Sequence, residues 1–154
     1  KKENLMEVIE ESINLSSEML RTKQVDIEFQ NKYQPLITYV NRTNLEQVFI
    51  NLIKNSVEAM PEDRENKKIM ITTELKNEQI LIHFIDTGKG IPQANWESVF
   101  DPFISIDKRG MGLGLPFVKK TIIEHLGNIT ISKSSPEGTH FIIELPQNGI
   151  LDIN

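Results

Sequence analysis

The 154-residue sequence contains no cysteine. A disulfide framework and thiolate metal ligands are therefore excluded, and the chain fits a reducing compartment. It carries no excess of positive charge: 17 Lys and Arg stand against 22 Asp and Glu, a net charge of −5. That balance argues against a nucleic-acid footprint. No apolar run approaches the ~20 residues of a membrane-spanning helix, and neither a signal peptide, an internal repeat nor a low-complexity tract is present. The three histidines, His83, His125 and His140, show no metal-ligand spacing and are expected to be structural. Hydrophobic content of 38% and charged content of 25% are ordinary for a globular domain. The sequence opens on a polar helical stretch without an initiator Met, as expected of a piece of something longer, and residues 1–154 read as one domain without an interdomain linker.

Periodicity orders the elements. Leu5, Val8, Ile9, Ile13, Leu15 and Leu20 predict an amphipathic helix over 3–21. Short strands are expected at 25–30 and 36–40. A strong helix over 45–60, capped by Asn44 and stopped by Pro61, presents Leu45, Val48, Phe49, Leu52, Ile53 and Val57 as one apolar face. Strands 69–75 and 79–86 form a hairpin through Asn77, and a helix at about 115–126 ends at Gly127. A last hairpin crosses Ser134-Ser-Pro-Glu-Gly138. This order predicts an α/β (α+β) two-layer sandwich: a mixed sheet with about three helices on one face.

Three stretches carry chemistry. On helix 45–60, Asn51 and Asn55 lie four residues apart at the edge of the apolar face, with Glu58 a turn further on. Asparagine is a poor mid-helix residue because its amide competes for backbone groups. The pair either bridges neighbouring backbone or sets a row of oxygens over a pocket able to take a hard cation such as Mg²⁺. Strand 79–86 runs into Asp86-Thr-Gly-Lys-Gly-Ile91. This is either an Asp-Gly turn or a pocket floor at which a carboxylate accepts from an exocyclic amine and glycines admit a flat ligand. In Lys108-Arg-Gly-Met-Gly-Leu-Gly-Leu-Pro116, glycines gather before a helix whose first turn holds Pro116. It is a flexible surface loop or a mobile phosphate cradle at a helix N-terminus, with Lys108 and Arg109 adding positive charge. Trp96 and Phe100, four residues apart, are expected to pin the intervening loop to the core.

Taken in order, these stretches resemble the ATP-binding catalytic domain of sensor histidine kinases, of the Bergerat type. Asn51–Met60 resembles the family's N box, Asp86–Ile91 its G1 box, Val99–Phe103 its F box, Gly110–Leu115 its G2 box, and Gly138-Thr-His-Phe141 its closing Gly-Thr element. The style is that of the nitrogen-regulation and sporulation-kinase branch. The resemblance implies that Asn55 ligates Mg²⁺ with Asn51 close to the phosphates, that Glu58 faces the ribose-phosphate region, and that Asp86 accepts from the adenine amine. It implies an adenine slot shaped by Gly88, Gly90 and Ile91, a lid braced by Phe103, and closure over the triphosphate by Gly110, Met111, Gly112, Leu113, Gly114 and Leu115. Thr139 would close the base pocket from the sheet. The branch's usual lysine before the G2 glycines is replaced by Asp107, so Lys108 or Arg109 is expected to supply the γ-phosphate contact. Pro116 stands where the family usually has serine.

The implied activity is transfer of the γ-phosphoryl group of Mg-ATP to a histidine on a separate dimerisation domain, and thence to a response-regulator aspartate. The phosphoacceptor signature His-Glu-[Ile/Leu]-Arg-Asn-Pro is missing, and residues 1–21 hold no histidine. The chain alone is thus expected to bind nucleotide without phosphorylating itself, and no residue is assigned as the general base. The expected setting is the cytoplasm, whether or not the parent is anchored in a membrane. A nucleotide-sensing binding module without phosphotransfer, an ATPase of the gyrase or heat-shock-chaperone kind, and a serine-directed anti-sigma kinase remain as alternatives.

Overall fold

The computed structural model describes residues 1–30, 32, 35–102 and 114–147. Its elements run β1 (Lys2–Asn4), α1 (Leu5–Leu15), α2 (Ser17–Thr22), β2 (Asp26–Phe29), β3 (Ile37–Tyr39), α3 (Arg42–Ala59), β4 (Lys68–Lys76), β5 (Gln79–Asp86), α4 (Gly114–Glu124), β6 (Asn128–Ser135) and β7 (Gly138–Pro146). Two 3-10 turns, Gln93–Asn95 and Ser98–Phe100, lie between β5 and α4. The main sheet has the order β2-β4-β5-β7-β6. β2 pairs with β4 in parallel and every other neighbour is antiparallel, so the sheet is mixed as expected.

One face of this sheet forms the core. Ile69 and Ile71 on β4, Ile80, Ile82 and Phe84 on β5, Phe141, Ile143 and Leu145 on β7, and Ile129 on β6 are all buried. They meet in register, with Phe84 beside Phe141 and Ile82 beside Ile143. Cross-strand apolar pairs on one face fix that register, because a slip of one residue would turn every side chain to the other face. α3 covers the row with the six apolar residues its periodicity selects, all of them buried.

Four sequence expectations change. The helix expected over 3–21 is a strand and two helices. Asn4 is extended and its Oδ1 accepts from the Met6 and Leu36 amides, capping α1 after β1 has paired with β3 in a separate two-stranded sheet. The break falls at Ser16, whose hydroxyl donates to the Ser12 carbonyl while Ser12 donates to the Val8 carbonyl. Serine hydroxyls that bond back one turn bend a helix, and Leu15, expected in the core, is left 59% exposed. α3 starts three residues earlier than expected: Asn41, not Asn44, is the cap, its Oδ1 accepting from the Asn44 amide. α4 closes on Leu126, at φ 64°, with the Leu126 and Gly127 amides bonding the Ile123 and Ile122 carbonyls. The residue in the left-handed conformation is thus a leucine. Gly127 answers a packing need instead, because a Cβ there would lie 2.0 Å from the Glu144 carbonyl oxygen.

His125 and the two loop aromatics make bridging and packing contacts. His125 Nε2 accepts from the Asn41 amide and Nδ1 pairs with the Thr121 carbonyl, joining the end of α4 to the start of α3. Trp96 Nε1 donates to the Ile91 carbonyl, and the Phe100 ring stands edge-on to Phe141. No helix among the described residues is long and apolar enough to cross a membrane.

Candidate functional site

β5 places an apolar side chain inward at every second residue, Ile80, Ile82 and Phe84, and the next inward position is Asp86. It is 5% exposed and stands across from Thr139 of β7 and Ile69 of β4. A carboxylate at a core position is costly unless hydrogen bonds satisfy it. Three donors do so here. The Ser56 hydroxyl of α3 donates to Oδ2 at 2.6 Å, while the backbone amides of Gly88 and Thr139 donate to Oδ1 at 2.8 and 3.2 Å. Burial still pushes the Asp86 carboxyl above its ordinary range, against the opposing pull of Ser56, the two amides and the charge of Arg64.

The turn after Asp86 is bound on both sides. A Cβ on Gly88 would come within 2.9 Å of the Ala59 Cβ, and the Lys89 amide donates to the Ala59 carbonyl, so the turn lies against the end of α3. Gly90 adopts φ +87° and a Cβ there would lie 2.0 Å from the Ser135 carbonyl oxygen, a place that glycine alone fits. The Ile91 amide donates to Ser134 Oγ, which in turn pairs with Thr139 Oγ1 at 2.8 Å. Asp86, Gly88, Gly90, Ile91 and Thr139, five of the expected residues, therefore surround one end of the sheet.

α3 carries the second wall. Asn51 and Asn55 are half-buried. Asn51 Oδ1 accepts from Gln47, and Gly114, the first residue of α4, packs against Asn51, where a Cβ would lie 3.6 Å from the Asn51 Cβ. The N-terminus of an eleven-residue helix thus adjoins the asparagine row, with Leu115 buried behind it. Asn55 lies one turn further along α3, and its carboxamide offers one hard oxygen donor. Among the described residues no group of three or more His, Asp or Glu side chains is placed to hold a metal. The donor set fits Mg²⁺, which takes one or two protein ligands and completes its shell with phosphate and water oxygens.

Glu58 is not brought to this centre. It is exposed and lines a cavity of 770 Å³ with Val25, Met60, Lys67 and Lys89, whose lining includes neither asparagine nor Asp86. Phe103, Lys108, Arg109, Gly110, Met111, Gly112 and Leu113 lie outside the described residues. Sequence reasoning missed Ser56 and Ser134. Ser56 carries a signal in retrospect: it is a polar residue on the buried stripe of α3, next to Asn55. Ser134 carries none, because a serine before a Ser-Pro-Glu-Gly turn is unremarkable.

The site residues thus comprise a buried acceptor held by three donors, a glycine turn packed between α3 and the β6–β7 hairpin, and a helix N-terminus against Asn51. Residues 40–149 match the family described as histidine kinase-, DNA gyrase B- and HSP90-like ATPase. The chain belongs to this family. Within it, the catalytic domain of the histidine kinase ThkA shares the fold with a TM-score of 0.85 at 34% identity, covering 96% of this chain and 95% of that one. The signal transduction histidine-protein kinase ArlS of Staphylococcus haemolyticus is 33% identical over 156 residues, covering 92% of this chain and 34% of the relative. Sporulation kinase C of Bacillus subtilis is 36% identical over 106 residues, covering 69% of this chain and 24% of the relative. The chain thus spans about a third or less of the length of these curated relatives. It is an ATP-binding catalytic domain of the histidine-kinase type.

Proposed function

We propose that the domain binds Mg-ATP and serves the phosphotransfer step of a two-component system, passing the γ-phosphoryl group to a histidine on a separate dimerisation domain. The observation that carries this reading is Asp86, a buried carboxylate fixed by Ser56, Gly88 and Thr139 at the mouth of a glycine turn. In this reading Oδ2 accepts from the adenine amine, and Gly88, Gly90, Ile91 and Thr139 form the slot around the base. Asn55 donates its amide oxygen to Mg²⁺, while Asn51 and the N-terminus of α4 face the phosphates. The metal supplies charge neutralisation on the phosphate oxygens. Lys108 or Arg109 supplies the γ-phosphate contact, and the Gly110–Leu115 stretch serves the triphosphate.

In the transfer, the bond between the γ-phosphorus and the β,γ-bridging oxygen breaks and a phosphorus–nitrogen bond to the acceptor imidazole forms. ADP leaves, and the imidazole proton passes to a base outside this chain. Catalysis then rests on positioning and charge stabilisation. The histidine kinase ThkA has been captured with its response regulator protein TrrA, and that structure matches this chain with a TM-score of 0.76 at 30% identity. It supports a response regulator as the downstream partner here.

The test mixes this chain with a histidine-bearing dimerisation domain and γ-labelled ATP. The reading predicts acid-labile, base-stable label on the dimerisation domain and none on this chain alone. Nucleotide binding without label transfer to any acceptor would instead indicate a nucleotide-sensing module.

A further inference from the structure

The loop between α3 and β4, Pro61-Glu-Asp-Arg-Glu-Asn-Lys67, reads as a solvated charged connection. Its structure is more specific. The Arg64 amide donates to the Pro61 carbonyl, and this turn sends the Arg64 side chain back over the end of the main sheet. There the guanidinium meets four backbone carbonyls. Nη1 donates to Thr87 O at 2.6 Å and shares its donors with Gly88 O at 3.2 Å and Glu137 O at 3.4 Å, while Nη2 donates to Pro136 O at 3.0 Å. Thr87 and Gly88 belong to the turn after β5, and Pro136 and Glu137 form the turn between β6 and β7. The two turns are the two walls beside Asp86 and Thr139, which face each other one step inward.

We infer that Arg64 is a positioning residue for adenine recognition, a strap that holds the Asp86 turn and the β6–β7 turn at a fixed separation. The inference rests on the proposed nucleotide site. Both amides that fix Asp86 Oδ1 sit on the strapped segments: Gly88 carries one of the bonded carbonyls, and Thr139 follows the turn that carries two others. If the walls part, Oδ1 loses its donors and the carboxylate is free to turn, so Oδ2 no longer meets the base at a set angle. The arginine charge also favours the ionised Asp86 carboxylate, against the upward shift that burial causes. A planar fork with five donors reaches several carbonyls of two turns at once, whereas a lysine ammonium is a single point on a flexible stem. The strap acts at the base end of the nucleotide, far along the ligand from the γ-phosphate, so ADP and ATP must feel its loss equally.

The experiment measures ADP and ATP affinity by calorimetry for this chain, Arg64→Ala and Arg64→Lys, together with amide hydrogen exchange in the nucleotide-free state. For Arg64→Ala the expected result is an ADP dissociation constant raised about tenfold or more, with the same factor for ATP. Exchange at Gly88 and Thr139 should quicken while the central amides of β5 and β7 keep their protection. Arg64→Lys should fall between the two, and it carries the test if the alanine variant does not fold. A folded variant with unchanged ADP affinity, or with unchanged exchange at Gly88 and Thr139, overturns the inference. A loss confined to ATP would also overturn it, because it would put Arg64 at the phosphate end. An unmodified chain that binds neither nucleotide would refute the functional reading instead, and the exchange rates would then still decide whether Arg64 is a strap.

Discussion

β5 and β7 carry a cluster of titratable or polar groups on each face of the sheet. On the inner face Asp86 stands across from Thr139, and on the outer face His83 Nδ1 lies 2.9 Å from His140 Nε2, with His83 Nε2 2.9 Å from Glu74. The outer cluster joins side chains of adjacent strands that are all partly exposed. Burial first, then the adjoining His83 and Lys133, hold His140 below its ordinary range, and the bond from His83 holds Glu74 below its own. The inner group is supplied by α3, β7 and the turn after β5, is nearly closed to water, and still titrates high because of burial. An inward position on a strand normally takes an apolar residue, so an ionised carboxylate there weakens the fold in return for an aimed acceptor. The outer histidines are partly exposed, whereas Asp86 is nearly closed to water.

The comparison can be broken at either face. Asp86 has a folded pKa above its unfolded one, so the stability it contributes is present below about pH 4, the ordinary carboxyl value, and is lost as pH rises through the folded value. Asp86→Asn removes that limb. The amide oxygen keeps the Gly88 and Thr139 bonds and the amide nitrogen can donate to Ser56. The nucleotide-free variant should be at least as stable as the parent at pH 7 by denaturant titration, while its ATP dissociation constant rises roughly ten- to hundredfold, since the amide now presents a donor to the adenine amine.

Ser56→Ala tests the support rather than the group. It strips one donor from a buried carboxylate, which should cost about 1–3 kcal/mol at pH 7. The deficit should shrink as pH falls through the Asp86 titration, because the protonated acid needs that donor less. A deficit that stays constant with pH would assign Ser56 to packing.

The smallest effect belongs to the outer face. His140 is held low, so the stability it contributes is present above about pH 6.5 and lost as pH falls through its folded value. His140→Phe should flatten that acid limb in thermal unfolding scans and leave ATP affinity at pH 7 unchanged. A change in affinity would join the outer cluster to the nucleotide site.

Much of the fold was legible because the apolar face of α3 named its core residues and the apolar runs of β4 and β5 marked a hairpin. The errors came from side-chain-to-backbone bonds that periodicity does not register. Ser16 split a helix and Asn41 took the cap from Asn44 through single hydrogen bonds. Asp86 was legible as a site residue because it closes an apolar strand and runs straight into Gly88 and Gly90. Ser56, Ser134 and Arg64 were not, since each works through a contact at least 23 residues away in sequence. A charged residue in a charged loop gives no hint that its acceptors are the carbonyls of two distant turns.

The most direct test of the account is thermal unfolding of this chain and of Asp86→Asn, each with and without Mg-ATP at about a hundredfold excess over the parent's dissociation constant. Binding at that excess adds about 2.7 kcal/mol, which for a chain of this size raises the melting temperature by roughly 5–10 °C. The account predicts that rise for the parent, and for Asp86→Asn an equal or higher starting temperature with most of the rise gone. An Asp86→Asn variant that melts well below the parent, yet gains the full rise with Mg-ATP, would show that Asp86 holds the fold and not the base.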